Sequence, residues 1–298
     1  MRAGRGLDSW FAMALALVAA AAGLVLGAAV RAGPGALAGG VLGLGVGIAL
    51  WRAFTARAAQ RDQVRRAPFP DAWRDILADR YDHYHRLPAD LRRRFEEHVA
   101  LFLAEKRITG IEVEVDLELR LLVAASAATL TAAWPGEHWD HLAEVLLYRE
   151  DFGRDYSFDE DDLAGQAHPW GTLILSVPAL QESFDDPDDG FHVGLHEFAH
   201  LLDVEQTRFD GVPAGLGAAK SREWLQLVDS EIERLRRGKS VLDAYAAESP
   251  VEFLAVAVET FFERPLALRL RHRQVYAILS GYFGQDPAAW DEARGLRP

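Results

Sequence analysis

His196-Glu197-Phe198-Ala199-His200 is the segment whose residue types and spacing could do chemistry. A helix through it sets two imidazoles on one face with a carboxylate beside them, the minimal pattern for zinc-dependent hydrolysis. Two nitrogen donors four residues apart can meet one tetrahedral ion, while the intervening carboxylate faces a water rather than the metal. In a chain with 10 His among 298 residues, so short a motif arises by chance at roughly the few-per-cent level, so its surroundings must carry weight.

Those surroundings predict a helix. Phe191, Leu195, Phe198, Ala199, Leu201 and Leu202 form an apolar stripe, introduced by Asp188, Asp189 and Gly190. A glutamate on the apolar side of a buried helix is costly unless something compensates it, and a metal with its water would. His192, one turn earlier at the helix start, is expected to face solvent.

Zinc needs a third protein ligand and an open position. The extended motif would put a histidine at 206, where the chain has Gln206. The search moves to a second predicted helix within Asp243 to Glu263, which offers Glu248, Glu252 and Glu259. Ser249 and Pro250 read as N-cap and first helical residue, so a capping box accounts for Glu252. Glu252 and Glu259 are also seven apart on one face of an otherwise apolar helix, where carboxylates call for a cation. Asp203 and Glu259 are the candidates to accept a hydrogen bond from a ligating imidazole.

Leu195-His196-Glu197-Phe198-Ala199-His200-Leu201-Leu202-Asp203, followed by Tyr245-Ala246-Ala247-Glu248-Ser249-Pro250-Val251-Glu252-Phe253, resembles the Mlc titration factor A (MtfA) family of zinc peptidases. The resemblance runs from about Pro70 to Tyr282 and takes in Leu146-Leu147-Tyr148 and Leu175-Ser176-Val177-Pro178. It implies a catalytic domain similar to that of anthrax lethal factor, with Glu252 as third zinc ligand beside His196 and His200. It also implies Tyr245 near the metal, as partner of the reacting carbonyl. Glu197 would act as general base toward a zinc-activated water and pass its proton to the leaving amine. The function implied is a zinc-dependent peptidase acting on peptides or proteins. The alternative is a regulatory binding protein that captures a transcriptional regulator such as Mlc at the membrane, with peptidase activity secondary or absent.

Around this site the chain predicts an α+β fold: a zincin-like metallopeptidase domain preceded by a two-helix transmembrane hairpin. Trp10 to Val30 is one apolar run, Arg31 to Pro34 a turn, and a second apolar run reaches Trp51. Gly35, Gly39, Gly43 and Gly47 form a small-residue ridge suited to close helix packing. The division expected is 1–54 hairpin, 55–69 basic juxtamembrane linker and 70–298 metallopeptidase domain. Arginines flank the hairpin and only Arg31 lies in its turn, which predicts both ends on the cytoplasmic side of the inner membrane.

Within the domain, helices are predicted at Pro70 to Arg86, Ala89 to Arg107 and Leu117 to Ala133, with strands at Ile111 to Val115, Val145 to Arg149 and Thr172 to Val177. The last of these, ended by Pro178, is a candidate edge strand for pairing with substrate backbone. Asp151 to Trp170, with its acidic run at 159–162, reads as a surface loop. A charged helix from Ser221 to Arg237 and C-terminal helices through Ala289 complete the pattern.

Charge and composition narrow the partners. Residues 1–66 carry eight Arg and two Asp, a net of +6, so of the chain's −13 the remainder carries −19. That charge repels nucleic acid, while the basic collar suits anionic lipid headgroups. With no cysteine, neither thiolate ligation nor thiol catalysis is available.

Overall fold

The computed structural model describes residues 34–136, 139–151, 164–168, 171–203, 209–238 and 240–297, and isolated positions 18, 21, 22, 25 and 29. The side chains of 34–37, 40, 50 and 53–55 are not among those described. The chain divides into two units, residues 1–68 and 69–298.

In the first unit, α1 (Pro34–Arg66) is a single helix. The segment after Phe54, expected as a linker, is therefore helical. Ala56, Arg57, Ala58, Ala59, Gln60 and Arg61 are strong helix formers, no Gly or Pro intervenes before Pro68, and Arg65 and Arg66 complement the helix dipole. Gly43 and Gly47 of the predicted ridge are buried. Val41, Leu42, Leu44, Val46, Ile48 and Trp51 are exposed. Among the described residues no helix is long and apolar enough to cross a membrane. The first apolar run, expected as the other arm of the hairpin, and its turn lie almost wholly outside the described residues.

The second unit is helix-rich α+β. It begins with α2 (Asp71–Arg80), α3 (Asp82–Arg86) and α4 (Ala89–Glu105), followed by β1 (Arg107–Ile111) and α5 (Leu117–Thr131). The predicted helix from Pro70 to Arg86 is thus two, broken at the extended Tyr81, whose hydroxyl meets Thr129 Oγ1 at 2.8 Å. Strand β1 ends earlier than predicted because the chain turns after Ile111, with Glu112 at φ 57°. The Asp116 side chain accepts from the Leu119 N–H (2.8 Å) and starts α5, which is buried almost all round and forms the centre of the core. Its Ser126, Thr129 and Thr131 hydroxyls bond to carbonyls four residues back, so burial leaves them satisfied.

The sheet adds β2 (Glu144–Tyr148), β3 (Gly165–His168) and β4 (Thr172–Ser176) in the order β1-β2-β4-β3. β1, β2 and β4 run parallel and β3 runs antiparallel to β4. β4, the candidate edge strand, is therefore internal. The edges are β1 and β3, the latter in a stretch read from sequence as loop. Pro178 does not merely stop β4: the Ser176 hydroxyl caps α6 (Val177–Asp185), and Pro178 sits in its first turn.

Next come α7 (Val193–Leu202) and α8 (Ala218–Arg236), a 3-10 turn over Ala244–Ala247, and α9 (Pro250–Glu263). The chain ends with α10 (Pro265–Arg271), α11 (Arg273–Phe283) and α12 (Pro287–Ala293). α7 packs against α5, α9 and β3, which sets the motif helix between the core, the glutamate helix and the sheet edge.

Candidate metal centre

The site is built from α7 and α9 facing each other. On α7, His196, Glu197 and His200 bring potential donor atoms within 4.8 Å of one another. On α9, the Ser249 hydroxyl accepts from the Glu252 N–H (3.2 Å), so the predicted cap is present. That backbone bond leaves the Glu252 carboxylate free to point at the histidines. Its Oε2 lies 3.1 Å from His196 Nε2 and 3.6 Å from His200 Nε2. Of the three candidate glutamates only Glu252 reaches both rings. Glu248 is exposed at the end of the 3-10 turn.

Glu259, one heptad further along α9, is 2% exposed and holds the other side of His196: the ring Nδ1 donates to its Oε1 at 2.7 Å. The second oxygen of Glu259 accepts from the His192 N–H at 2.6 Å. Asp203, the other candidate, turns away from both imidazoles. It is fully buried and accepts from the N–H groups of Asp210, Gly211 and Val212, tying the chain after α7 back to the helix end.

His192 corrects an expectation. It is 1% exposed rather than solvent-facing, packed against Phe184 and Tyr81, and its Nδ1 accepts from the Leu195 N–H as the N-cap of α7. Burial lowers its pKa to about 3, so it is a neutral cap and its Nδ1 is taken.

The electrostatics ask for positive charge between α7 and α9. Burial disfavours the His196 imidazolium, yet Glu259 and Glu252 outweigh that and hold its pKa well above the ordinary histidine value. Burial pushes Glu252 up, but hydrogen bonds to His196 and His200 win and bring it down to about 2. Glu197 goes the other way. Burial raises its pKa, and its Oε2 is buried with no hydrogen-bond partner. It sits directly under the sheet edge: a β-carbon at Gly165 of β3 would lie 2.6 Å from Glu197 Cγ, so only glycine lets the strand come this close.

Tyr245 arrives on the 3-10 turn, positioned by the Asp243 carboxylate, which accepts its N–H at 2.8 Å. Its ring centre is 6.0 Å from that of His196. His196, Glu197, Gly165, Tyr245 and Glu259 all line one cleft of about 590 Å³. His196, Glu197, His200, Glu252 and Tyr245, the five residues read from sequence as the site, are brought together by these contacts. Sequence reasoning missed Gly165 and the buried state of His192. The acidic run 159–162 and all of 152–163 lie outside the described residues.

The donor set fits a metal. Ligand atoms about 2.0–2.1 Å from a tetrahedral zinc stand about 3.3 Å apart, a spacing that the 3.1 and 3.6 Å separations bracket. Comparison with known proteins agrees: the family model for the glucose-regulated metallo-peptidase M90 matches residues 55–284. The protein is of the metallopeptidase class, which implies a metal for this His-Glu-His cluster. It belongs to the glucose-regulated metallo-peptidase M90 family. Among its relatives is the protein slr2042 of Synechocystis sp., 31% identical over 76% of this chain and 88% of that protein. Mlc titration factor A of Edwardsiella ictaluri is 30% identical over 80% of this chain and 92% of that protein. The same-named protein of Cronobacter sakazakii is 31% identical over 62% of this chain and 76% of that protein. The family resemblance carried by the two motif segments is thus borne out.

Proposed function

We propose that the chain is a zinc-dependent peptidase in which His196, His200 and Glu252 hold the metal, Glu197 is the general base and Tyr245 assists the reacting carbonyl. The observation that carries this reading is the division of labour between two carboxylates. Glu252 reaches both imidazoles and is held ionised, while Glu197 keeps an unpartnered oxygen and a raised pKa beside them. A ligand needs the first condition and a proton carrier the second. Zinc is the metal that suits a donor set of two imidazoles and one carboxylate, and when bound it would lower the pKa of a water to about 7 and polarise a carbonyl.

The chain's own groups supply the rest. The outer edge of β3 offers its backbone to an extended peptide laid across the cleft, directly above Glu197. Glu197 would take a proton from the attacking water and deliver it to the departing amine. The Tyr245 hydroxyl would donate to the oxygen on which charge develops. The N-terminal unit would act as membrane anchor, with the metallopeptidase domain on the cytoplasmic face. Six large apolar side chains exposed on α1 favour that assignment, because such a surface marks contact with lipid or a partner.

A second reading is favoured by the names of the relatives. Two of them carry the name Mlc titration factor A, and in this reading the same domain binds a regulator of that kind. Glu197→Gln separates the two. Metal analysis should find the ion retained near one per chain while kcat/KM for peptide hydrolysis falls at least about 100-fold. Capture of a regulator should persist if it is independent of chemistry. In Glu252→Ala the metal should be lost, and hydrolysis unchanged in Glu197→Gln would remove Glu197 from the mechanism.

A further inference from the structure

Among the described residues, Arg264 is the only lysine or arginine lining the metal-site cleft. Residues 67–298 carry a net charge of −19, so an arginine in this domain has many acids within reach. Arg74, Arg80 and Arg86 each take carboxylate partners. Arg264 is half-buried, yet it donates no side-chain hydrogen bond and forms no ion pair among the described residues. An unpaired guanidinium in so acidic a domain is held for a partner from outside.

Apart from Glu197, which the peptidase reading uses, the acids of the same cleft each accept a hydrogen bond. Asp189 accepts from the Phe191 N–H, Asp243 from the Tyr245 N–H, and Glu259 from His192 and His196. Arg264 itself is fixed at both ends of its stem. Its backbone N–H closes α9 on the Thr260 carbonyl. Its Cδ passes over Gly190, where a β-carbon would stand 3.3 Å away. Gly190 has φ 89°, a conformation that favours glycine, and its N–H donates to Glu263 Oε2 at 3.0 Å.

The distance to the chemistry follows from helix geometry. His196 is held by both Glu259 and Glu252, so along α9 the chemistry lies between about 7.5 Å and about 18 Å from Arg264 at 1.5 Å per residue. A peptide strand covers about 3.3 Å per residue, so that span corresponds to roughly two to five substrate residues. Building on the peptidase reading, we propose that Arg264 is a specificity residue that binds a substrate carboxylate two to five positions from the cleaved bond. The carboxylate is either an Asp or Glu side chain or the terminal carboxylate of a short peptide.

The test is equilibrium binding of fluorescent peptides to the full chain carrying Glu197→Gln. The peptides form a series in which one Glu is moved along an otherwise neutral sequence and compared with Gln at each position. Each is made with a free and with an amidated C-terminus. One Glu position, or the free terminus, should bind at least about tenfold more tightly than its amide counterpart. The preference should weaken with salt, disappear in Arg264→Gln and survive in part in Arg264→Lys. A preference set by the moving Glu identifies a side-chain carboxylate, and one set by the terminus identifies the chain end. Equal binding of acid and amide peptides, or a preference that persists in Arg264→Gln, overturns the proposal. Hydrolysis of the same peptides by the chain with Glu197 intact is read separately. If it is absent while the Arg264-dependent preference holds, the peptidase reading fails and the carboxylate site stands.

Discussion

Glu259 shows how one side chain can carry two loads. Its oxygens hold the His196 ring and the first N–H of the motif helix, so it orients the proposed ligand and anchors the element that bears it. Glu259→Ala should weaken metal affinity by about 10–100-fold in chelator competition. It should also destabilise the fold by about 1–3 kcal/mol, because the His192 N–H stays buried without an acceptor. Glu259→Gln keeps one acceptor oxygen, enough for either the His192 N–H or the His196 ring but not both, and should lose less than Glu259→Ala. A metal affinity unchanged in Glu259→Ala would show that the ring needs no such support. At this scale the His-Glu-x-x-His trio was fully legible, because helical spacing alone puts the groups together. Glu252 was not separable from Glu248 and Glu259 by residue physics, since the cap and the ligand make the same demand on sequence. His192 and Arg264 were illegible for a common reason: what covers a side chain, or fails to pair with it, is decided by distant segments.

At the scale of elements, α9 organises the domain. Along one helix it presents Glu252 to both histidines, Glu259 to His196 and Glu263 to the loop before α7. Glu263 is buried with one oxygen unpartnered, and burial, then Glu259 and Asp189, push its pKa up to about 10. A carboxyl raised in this way stabilises the fold fully below its unfolded value near 4.5, and that contribution is lost as pH rises through about 10. Glu263→Gln removes the slope while keeping an acceptor for Gly190. The variant should match the parent near pH 4 and exceed it by more than about 1 kcal/mol near pH 9 in denaturant melts. An equal difference at both pH values would sink this assignment. The long helices were readable from sequence because their apolar periodicity is strong. β3 was not, because Gly-Gln-Ala-His has no β-branched residue and is a strand only through pairing with β4. β1 was displaced by the β-branched Val113 and Val115, which lie beyond the turn at Glu112.

At the scale of the whole molecule, the two units differ in charge and in surface. The domain from Phe69 onward contains its own continuous core. The unit before it exposes an apolar stretch, and residues 1–66 carry a net charge of +6 against −19 for the rest. The full chain should therefore co-sediment with anionic lipid vesicles, and a chain lacking residues 1–68 should remain in the supernatant with its metal bound. A full chain that stays free of lipid would remove the anchor from the proposal. The single helix that bears Glu252, Glu259 and the Arg264 terminus also constrains how such a protein can diverge. Each inserted or deleted residue within it turns everything downstream by about 100°, throwing the ring orienter and the remote arginine out of phase with the ligand. Surface loops can change length freely across a lineage, but the count between 252 and 264 is an invariant that drift must respect.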